Sequence, residues 1–325
     1  MRETGAMDPI ADVRDRYDRF AREEAPGRSA LYAEWAAGVA GDERILEILA
    51  GLSSPHRQPP VVFAVTRMLG AEGDYAAWAS FVVENADRVV AECAARTTQT
   101  NEPLRAAPLL VALDRIRGPI ALIEVGAAAG LCLFPDRYAY RFRTEDQVAE
   151  LGEGSVVLDT ELTGARVPRR MPDIVWRAGV DVEPRDAQDP SDRAWISGLV
   201  WPGETDRALR VDAALDAVAA DPPLIVRGDA SEPGVLADLV AQVPDDTTVV
   251  IATMGVLPHL RRDARERLIE TIRELPARWV TLDAPSLHDS WDPAVDADAW
   301  EGFVLALDGR PIAAADPLGS WIHGV

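Results

Sequence analysis

Three stretches of the chain concentrate side chains able to bind or react. Ile123-Glu124-Val125-Gly126-Ala127-Ala128-Ala129-Gly130-Leu131 joins an apolar run to small residues through a glycine, with one acid inside it. A bend of that composition lets backbone approach a ligand closely where a helix begins. Arg96-Thr97-Thr98-Gln99-Thr100-Asn101-Glu102-Pro103-Leu104-Arg105 gathers hydrogen-bonding groups in an apolar neighbourhood. Asn101, Glu102 and Arg105 are its candidates for contact with a substrate, although Thr100 or Asn101 serves equally well as a helix cap before Pro103. Met254-Gly-Val-Leu-Pro-His259-Leu260 follows another apolar run. His259 is a candidate general base there, because imidazole titrates near neutrality; a capping histidine would read the same way. Asp181 and Asp229 close two further apolar runs, the second within Gly228-Asp229-Ala230. A carboxylate can accept from two hydroxyls or an amino group, and is also an ordinary turn residue.

What the chain lacks narrows the chemistry. It has 325 residues, and all 33 basic positions are arginine. Without lysine there is no Schiff-base nucleophile, and no Walker A or protein-kinase lysine in its usual form. Cys93 and Cys132 are the only cysteines, too few for a thiolate metal centre and no sign of a disulfide framework. His56, His259, His288 and His323 are scattered, so no metal site is expected. A net charge of −21 repels phosphate backbones and anionic lipid, so neither nucleic acid nor membrane is an expected partner. Met1–Met7 begins no apolar signal region, and the apolar stretch from Pro119 to Pro135 is short for a span and interrupted by Glu124. The expectation is a cytoplasmic protein handling a small molecule.

These residues need elements to position them. Residues 1–117 read as a helical domain: Asp8-Pro9 starts a helix, and helical spacing continues over Ser29–Ala40, Glu43–Leu52, Pro60–Leu69, Asp74–Ala95 and Pro103–Arg117. Residues 118–325 change character. Short apolar runs at Ile120–Gly126, Asp173–Asp181, Pro223–Asp229, Thr247–Thr253 and Arg278–Asp283 suit strands of a parallel sheet buried on both faces. Helical patterns separate the later ones, at Ser191–Leu199, Glu204–Ala220, Ser231–Val243 and Arg261–Leu275. That alternation predicts a doubly wound α/β domain. Phe303–Leu307 and Ile312–Ala315 flank Asp308-Gly309, which predicts an antiparallel terminal hairpin. Residues 135–172 read as an insertion carrying two short strands, Tyr138–Arg143 and Val156–Leu162.

The bend resembles motif I of class I S-adenosylmethionine-dependent methyltransferases, an acid followed by Gly-x-Gly-x-Gly. Here the acid is Glu124, the outer glycines are Gly126 and Gly130, and the middle one is replaced by Ala128. The Gly-x-Gly-x-x-Gly spacing of dinucleotide folds is not matched. The resemblance implies a Rossmann-like, mostly parallel sheet with S-adenosylmethionine as cofactor. It implies Glu124, Gly126, Ala128 and Gly130 on the methionine side, Asp181 on the ribose, and Asp229 with Ala230 at the adenine. Asp181 stands much further from Glu124 than the family's usual distance of about twenty residues, and the insertion accounts for the excess. Met254–Leu260 is similar to a histidine-bearing segment of small-molecule methyltransferases.

The run from Thr98 to Arg105, the bend, Val175–Asp181, Trp201-Pro202 and Arg227-Gly-Asp229 together resemble an actinobacterial family, domain of unknown function twenty-three thirty-two. That resemblance covers nearly the whole chain and implies no activity. Methyl transfer to a small molecule is therefore one expectation. A non-catalytic ligand-binding or interaction protein on the same fold is the other, and a nicotinamide oxidoreductase is disfavoured by the glycine spacing.

Overall fold

The computed structural model describes residues 8–289 and 291–325. The expectation about Met1–Met7 lies outside them. Helices α1 (Pro9–Arg19), α2 (Ala30–Gly41), α3 (Glu43–Ala50), α4 (Pro59–Met68), α5 (Tyr75–Glu84) and α6 (Ala86–Ala94) open the described chain, followed by α7 (Ala106–Leu113). Then come β1 (Pro119–Val125), β2 (Ala139–Arg143), β3 (Val148–Leu151), β4 (Val157–Thr163) and β5 (Asp173–Asp181). They precede α8 (Pro190–Gly198), α9 (Thr205–Ala220), β6 (Leu224–Arg227), α10 (Val235–Val240), β7 (Thr248–Met254), α11 (Arg262–Glu274) and β8 (Arg278–Asp283). Strands β9 (Phe303–Leu307), β10 (Arg310–Ala315) and β11 (Trp321–Gly324) end the series. No described helix is long and apolar enough to cross a membrane.

The chain divides into two compact units. One takes the described part of Met1–Thr100 together with Asp189–Leu209; the other takes Asn101–Gln188 and Arg210–Val325. The division differs from a boundary at 117/118: Asn101–Arg117 belongs with the sheet, and α8 belongs with the amino-terminal helices. The helical unit starts as its sequence dictates. Asp8 Oδ1 accepts the Ile10 N–H ahead of Pro9, and Ser29 and Asp74 cap α2 and α5 in the same way. The expected helix over 74–95 is broken at Asn85, whose Nδ2 donates to the Phe81 carbonyl and ends α5.

The other unit is mixed α/β, built on an eleven-stranded, largely parallel sheet in the order β3-β2-β4-β11-β10-β9-β8-β7-β1-β5-β6. Strands β6, β5, β1, β7 and β8 are all parallel neighbours. The chain builds outward from β1 through β5 to β6, then returns to β1's other side for β7 and β8. Ile123, Val125, Val180 and Ile251 pack with Leu239 of α10 and Leu268 and Ile272 of α11 on one face. Glu124 alternates with Ile123 and Val125 and so projects to the other face.

The Asp308-Gly309 hairpin forms, with positive φ at both residues, the backbone of a tight two-residue turn. The insertion carries three strands rather than two, and β11 pairs with β4 to merge them into the same sheet. One expectation fails at the bend. No α-helix follows it: Leu131–Leu133 make a single 3₁₀ turn. Pro135 lacks the N–H a helix needs and drives Phe134 out of helical geometry. The expected helix over 103–117 is likewise reduced to a 3₁₀ turn at Pro103–Arg105 and the shorter α7.

Candidate functional site

The register brings the carboxyl ends of the parallel strands to one rim. Val125 lies beside Val180 and Thr253, Thr253 beside Thr281, and Asp181 beside Arg227. The order reverses between β1 and β7, and the crevice at such a reversal is where open α/β sheets take ligands.

Two residues far apart in sequence meet there. The Ala128 N–H donates to Asp181 Oδ2 and the Glu183 N–H to Asp181 Oδ1, each at 2.8 Å. Ala128 has φ +47, the left-handed conformation that a glycine would adopt without cost. Its carbonyl accepts the Arg185 N–H at 3.1 Å, so both sides of the strained peptide are held. Alanine at this position thus holds a glycine-like backbone at the price of strain.

The glycines of the bend pack against protein. A Cβ on Gly126 would stand 2.6 Å from Val256 Cγ2, and one on Gly130 would stand 3.0 Å from Pro223 Cγ. Gly126 and Gly130 also have φ of +77 and +80, which by itself selects glycine. Beyond the bend, the Tyr138 hydroxyl donates to the Leu131 carbonyl at 2.6 Å and the Tyr140 hydroxyl to the Pro135 carbonyl at 2.7 Å. Arg177 donates to the Leu133 carbonyl and pairs with Asp136. Side chains therefore hold the segment that a helix would otherwise have ordered.

Arg105 is the hub of the polar rim. It is 9% exposed. Its Nη1 donates to the Met254 carbonyl at 2.8 Å and its Nε to the Pro317 carbonyl at 2.9 Å. Gly255 makes room for it, since a Cβ there would lie 2.9 Å from Nη2. Glu102, Glu124, Asp283 and Cys132 surround the guanidinium closely enough to favour its charge, against a larger desolvation that lowers its pKa. Glu102 Oε1 accepts from the Leu104 N–H and from Arg210 Nε, both at 2.9 Å. The Cys132 thiol donates to the Glu102 carbonyl.

Burial pushes Glu124 up to about 8, with Arg105 pulling down and Asp181 pushing further up. Burial raises Asp283 well above the carboxylate range, although Thr281 Oγ1 donates to it at 3.1 Å. Glu124 Oε2, Asp283 Oδ1 and Asn101 Nδ2 are buried without a hydrogen-bond partner among the described residues. Desolvation, then the Arg105 charge, lower the pKa of His259, while Asp181 raises it. The residue is nonetheless exposed.

Glu102, Arg105, Glu124, Asp181 and His259 thus belong to one rim, and Asn101, buried, directly precedes Glu102. Asp229 and Ala230 follow β6 beside it. Asp229 Oδ1 accepts the Ser231 N–H at 2.8 Å, and Ala230 packs in the apolar core. Sequence reasoning passed over Asp283, Cys132 and Gly255. Asp283 carried the same signal as Asp181, an acid ending an apolar strand; Cys132 and Gly255 carried none. No group of three or more metal-ligating side chains occurs among the described residues.

A family model described as "uncharacterized protein conserved in bacteria (DUF2332)" matches residues 14–323. No curated protein and no solved structure matches the chain.

Proposed function

The chain belongs to that bacterial family, and since its description names no activity, we propose from the rim alone that the protein binds S-adenosylmethionine and methylates a small molecule. The observation that carries this reading is the bond from the Ala128 N–H to Asp181. It puts an acid at the end of the second parallel strand against the bend after the first, despite the long insertion between them. The strand order supports it too: counted along the parallel series, the five strands run third, second, first, fourth, fifth, as in doubly wound nucleotide-binding folds. Both cysteines are free thiols, in keeping with a reducing cytoplasm.

The polar groups fit the ligand better than the bend does. Glu124 Oε2 and Asn101 Nδ2 are buried and unpartnered among the described residues, and native proteins leave few such groups without a reason. Val256 stands over Gly126, so the ligand would be held by side chains more than by the glycine backbone. Asp181 would hold ribose hydroxyls through the lone pairs that its two N–H donors leave free. Asp229 and Ala230 would meet the adenine edge, and Glu124 and Asn101 the amino-acid end. When bound, S-adenosylmethionine supplies a methyl carbon made electrophilic by its sulfonium. His259, held towards its neutral form, would accept the proton of the acceptor's nucleophile on an imidazole nitrogen.

Calorimetry tests the reading. S-adenosylmethionine should bind and NADH should not, and Asp181→Ala should weaken binding by about a hundredfold or more (~3 kcal/mol) while the chain stays folded. NADH binding alone, or an affinity unchanged in the variant, would sink it. A second reading, a ligand-binding protein without catalysis, is favoured by Val256 over Gly126 and by the missing helix. Cofactor binding with no methyl transfer across a broad acceptor panel would select it.

A further inference from the structure

The rim contains a positive charge that forms no ion pair among the described residues. Arg105 is buried, yet both of its hydrogen-bond acceptors are backbone carbonyls. No carboxylate lies within ion-pair distance of it among the described residues, whereas Arg210 beside it pairs with Glu102 at 2.9 Å. Buried charges in folded proteins are nearly always paired, because desolvation penalises an isolated ion heavily. The nearby acids do not supply the missing charge. Glu102 is committed to Arg210. Burial shifts Glu124 and Asp283 towards their neutral forms. Asn101 Nδ2 adds a second buried donor with no acceptor among the described residues.

The backbone is shaped around this cation. Gly255 has φ +79, and a Cβ on it would stand about 3.0 Å or less from three guanidinium atoms. Two carbonyls fix Nε and Nη1, so Nη2 is the donor that remains for something else. A buried guanidinium with Nη2 left to donate is a receptor for an oxyanion oxygen.

We infer that Arg105, assisted by Asn101, receives the carboxylate of a ligand bound at the rim. The inference takes the ligand's place from the function proposed above, but not its charge. Two sources carry that chemistry: the amino-acid end of the cofactor and a carboxylate on the methyl acceptor.

The full-length chain separates them. Calorimetry compares S-adenosylhomocysteine with 5′-methylthioadenosine, which lacks the carboxylate. Thermal unfolding at constant ionic strength compares benzoate and succinate with benzamide and succinamide. Both are run on the wild type, on Arg105→Met and on Gly255→Ala, which displaces the guanidinium without removing it. If the carboxylate is the cofactor's, S-adenosylhomocysteine binds the wild type about tenfold or more tighter than 5′-methylthioadenosine, and the preference vanishes in both variants. If it is the acceptor's, benzoate or succinate raises the wild-type midpoint by roughly 2 °C or more, the amides do not, and the variants do not respond. The second result stands even if no nucleoside binds, so failure of the methyltransferase reading is told apart from failure of this one. If no carboxylate-bearing probe distinguishes the wild type from Arg105→Met and Gly255→Ala, the inference is overturned.

Discussion

The aromatic core of the helical unit and the carboxyl rim of the sheet bury polar groups in opposite ways. Around Phe63, the rings of Tyr17, Phe20, Tyr32, Trp35 and Trp78 lie 4.9 to 6.2 Å away between centroids. Their polar ends are spent locally. Trp78 Nε1 donates to Thr66 Oγ1, which donates in turn to the Phe63 carbonyl. Trp35 Nε1 donates to the Gly73 carbonyl and the Tyr17 hydroxyl to the Arg57 carbonyl. Trp195 Nε1 departs from that pattern. At the rim the pattern is reversed, with Glu124, Asp283 and Asn101 each burying an unpartnered atom. A satisfied buried network stabilises its fold, whereas an unsatisfied one costs stability and persists where a ligand completes it.

The largest effect expected from this contrast is in the aromatic core. Phe63→Ala removes the ring that five others meet and should cost about 3–5 kcal/mol, read by urea unfolding. A loss under about 1 kcal/mol would mean that the cluster is loosely packed, and would break the contrast.

The next effect is at the rim and depends on pH. Glu124 is shifted from 4.5 to about 8, so the folded protein keeps a proton that the unfolded chain releases. Stability from this group is fully present below about pH 4.5 and is lost as pH rises towards about 8, where the loss levels off. The ceiling is roughly 1.4 kcal/mol per pH unit in that window. Glu124→Gln should flatten this slope and be the more stable protein at pH 8. A variant that keeps the wild-type slope would place the titration elsewhere.

The sequence was most informative where periodicity or turn chemistry acts locally. Five parallel strands, the Asp308-Gly309 hairpin and the cap at Asp8 were legible because each is fixed by residues a few positions apart. The rim was legible in part. Asp181 and His259 could be placed from strand ends alone, but their meeting with Arg105 depends on register across five strands. Three features escaped for physical reasons. The helix expected after Gly130 is lost to Pro135, which leaves only a single 3₁₀ turn before it. β3 and β11 are short, and exist because neighbours offer them edges to pair with. Val256 over Gly126 is a tertiary contact, and a glycine held by packing has the same local sequence as one held open for a ligand.

A smaller effect sharpens that last point. If the bend is held by protein rather than by ligand, Tyr138→Phe should be felt in the free protein. It removes a buried donor from the Leu131 carbonyl and should cost about 1–2 kcal/mol, without lowering the affinity of any rim ligand by more than that conformational loosening allows. Unchanged stability would show that the turn needs no such brace.

The smallest effect belongs to an arginine that is the converse of Arg105. Arg262 is exposed and pairs with Glu266 one turn along α11 at 2.7 Å. Solvent and salt already screen both charges, so little is gained by their meeting and little is lost without it. Arg262→Ala should leave the unfolding midpoint within error of the wild type. It should also leave intact any response to benzoate or succinate that Arg105→Met abolishes. The pairing of these two variants matters because the chain carries a net charge of −21, and removing any arginine makes it more negative by the same amount. If both substitutions weakened the response equally, the anion probes would be reading the global charge. A loss confined to Arg105 instead ties the response to one desolvated guanidinium, since of these two arginines it is Arg105 whose charge is shielded from solvent and left without a carboxylate.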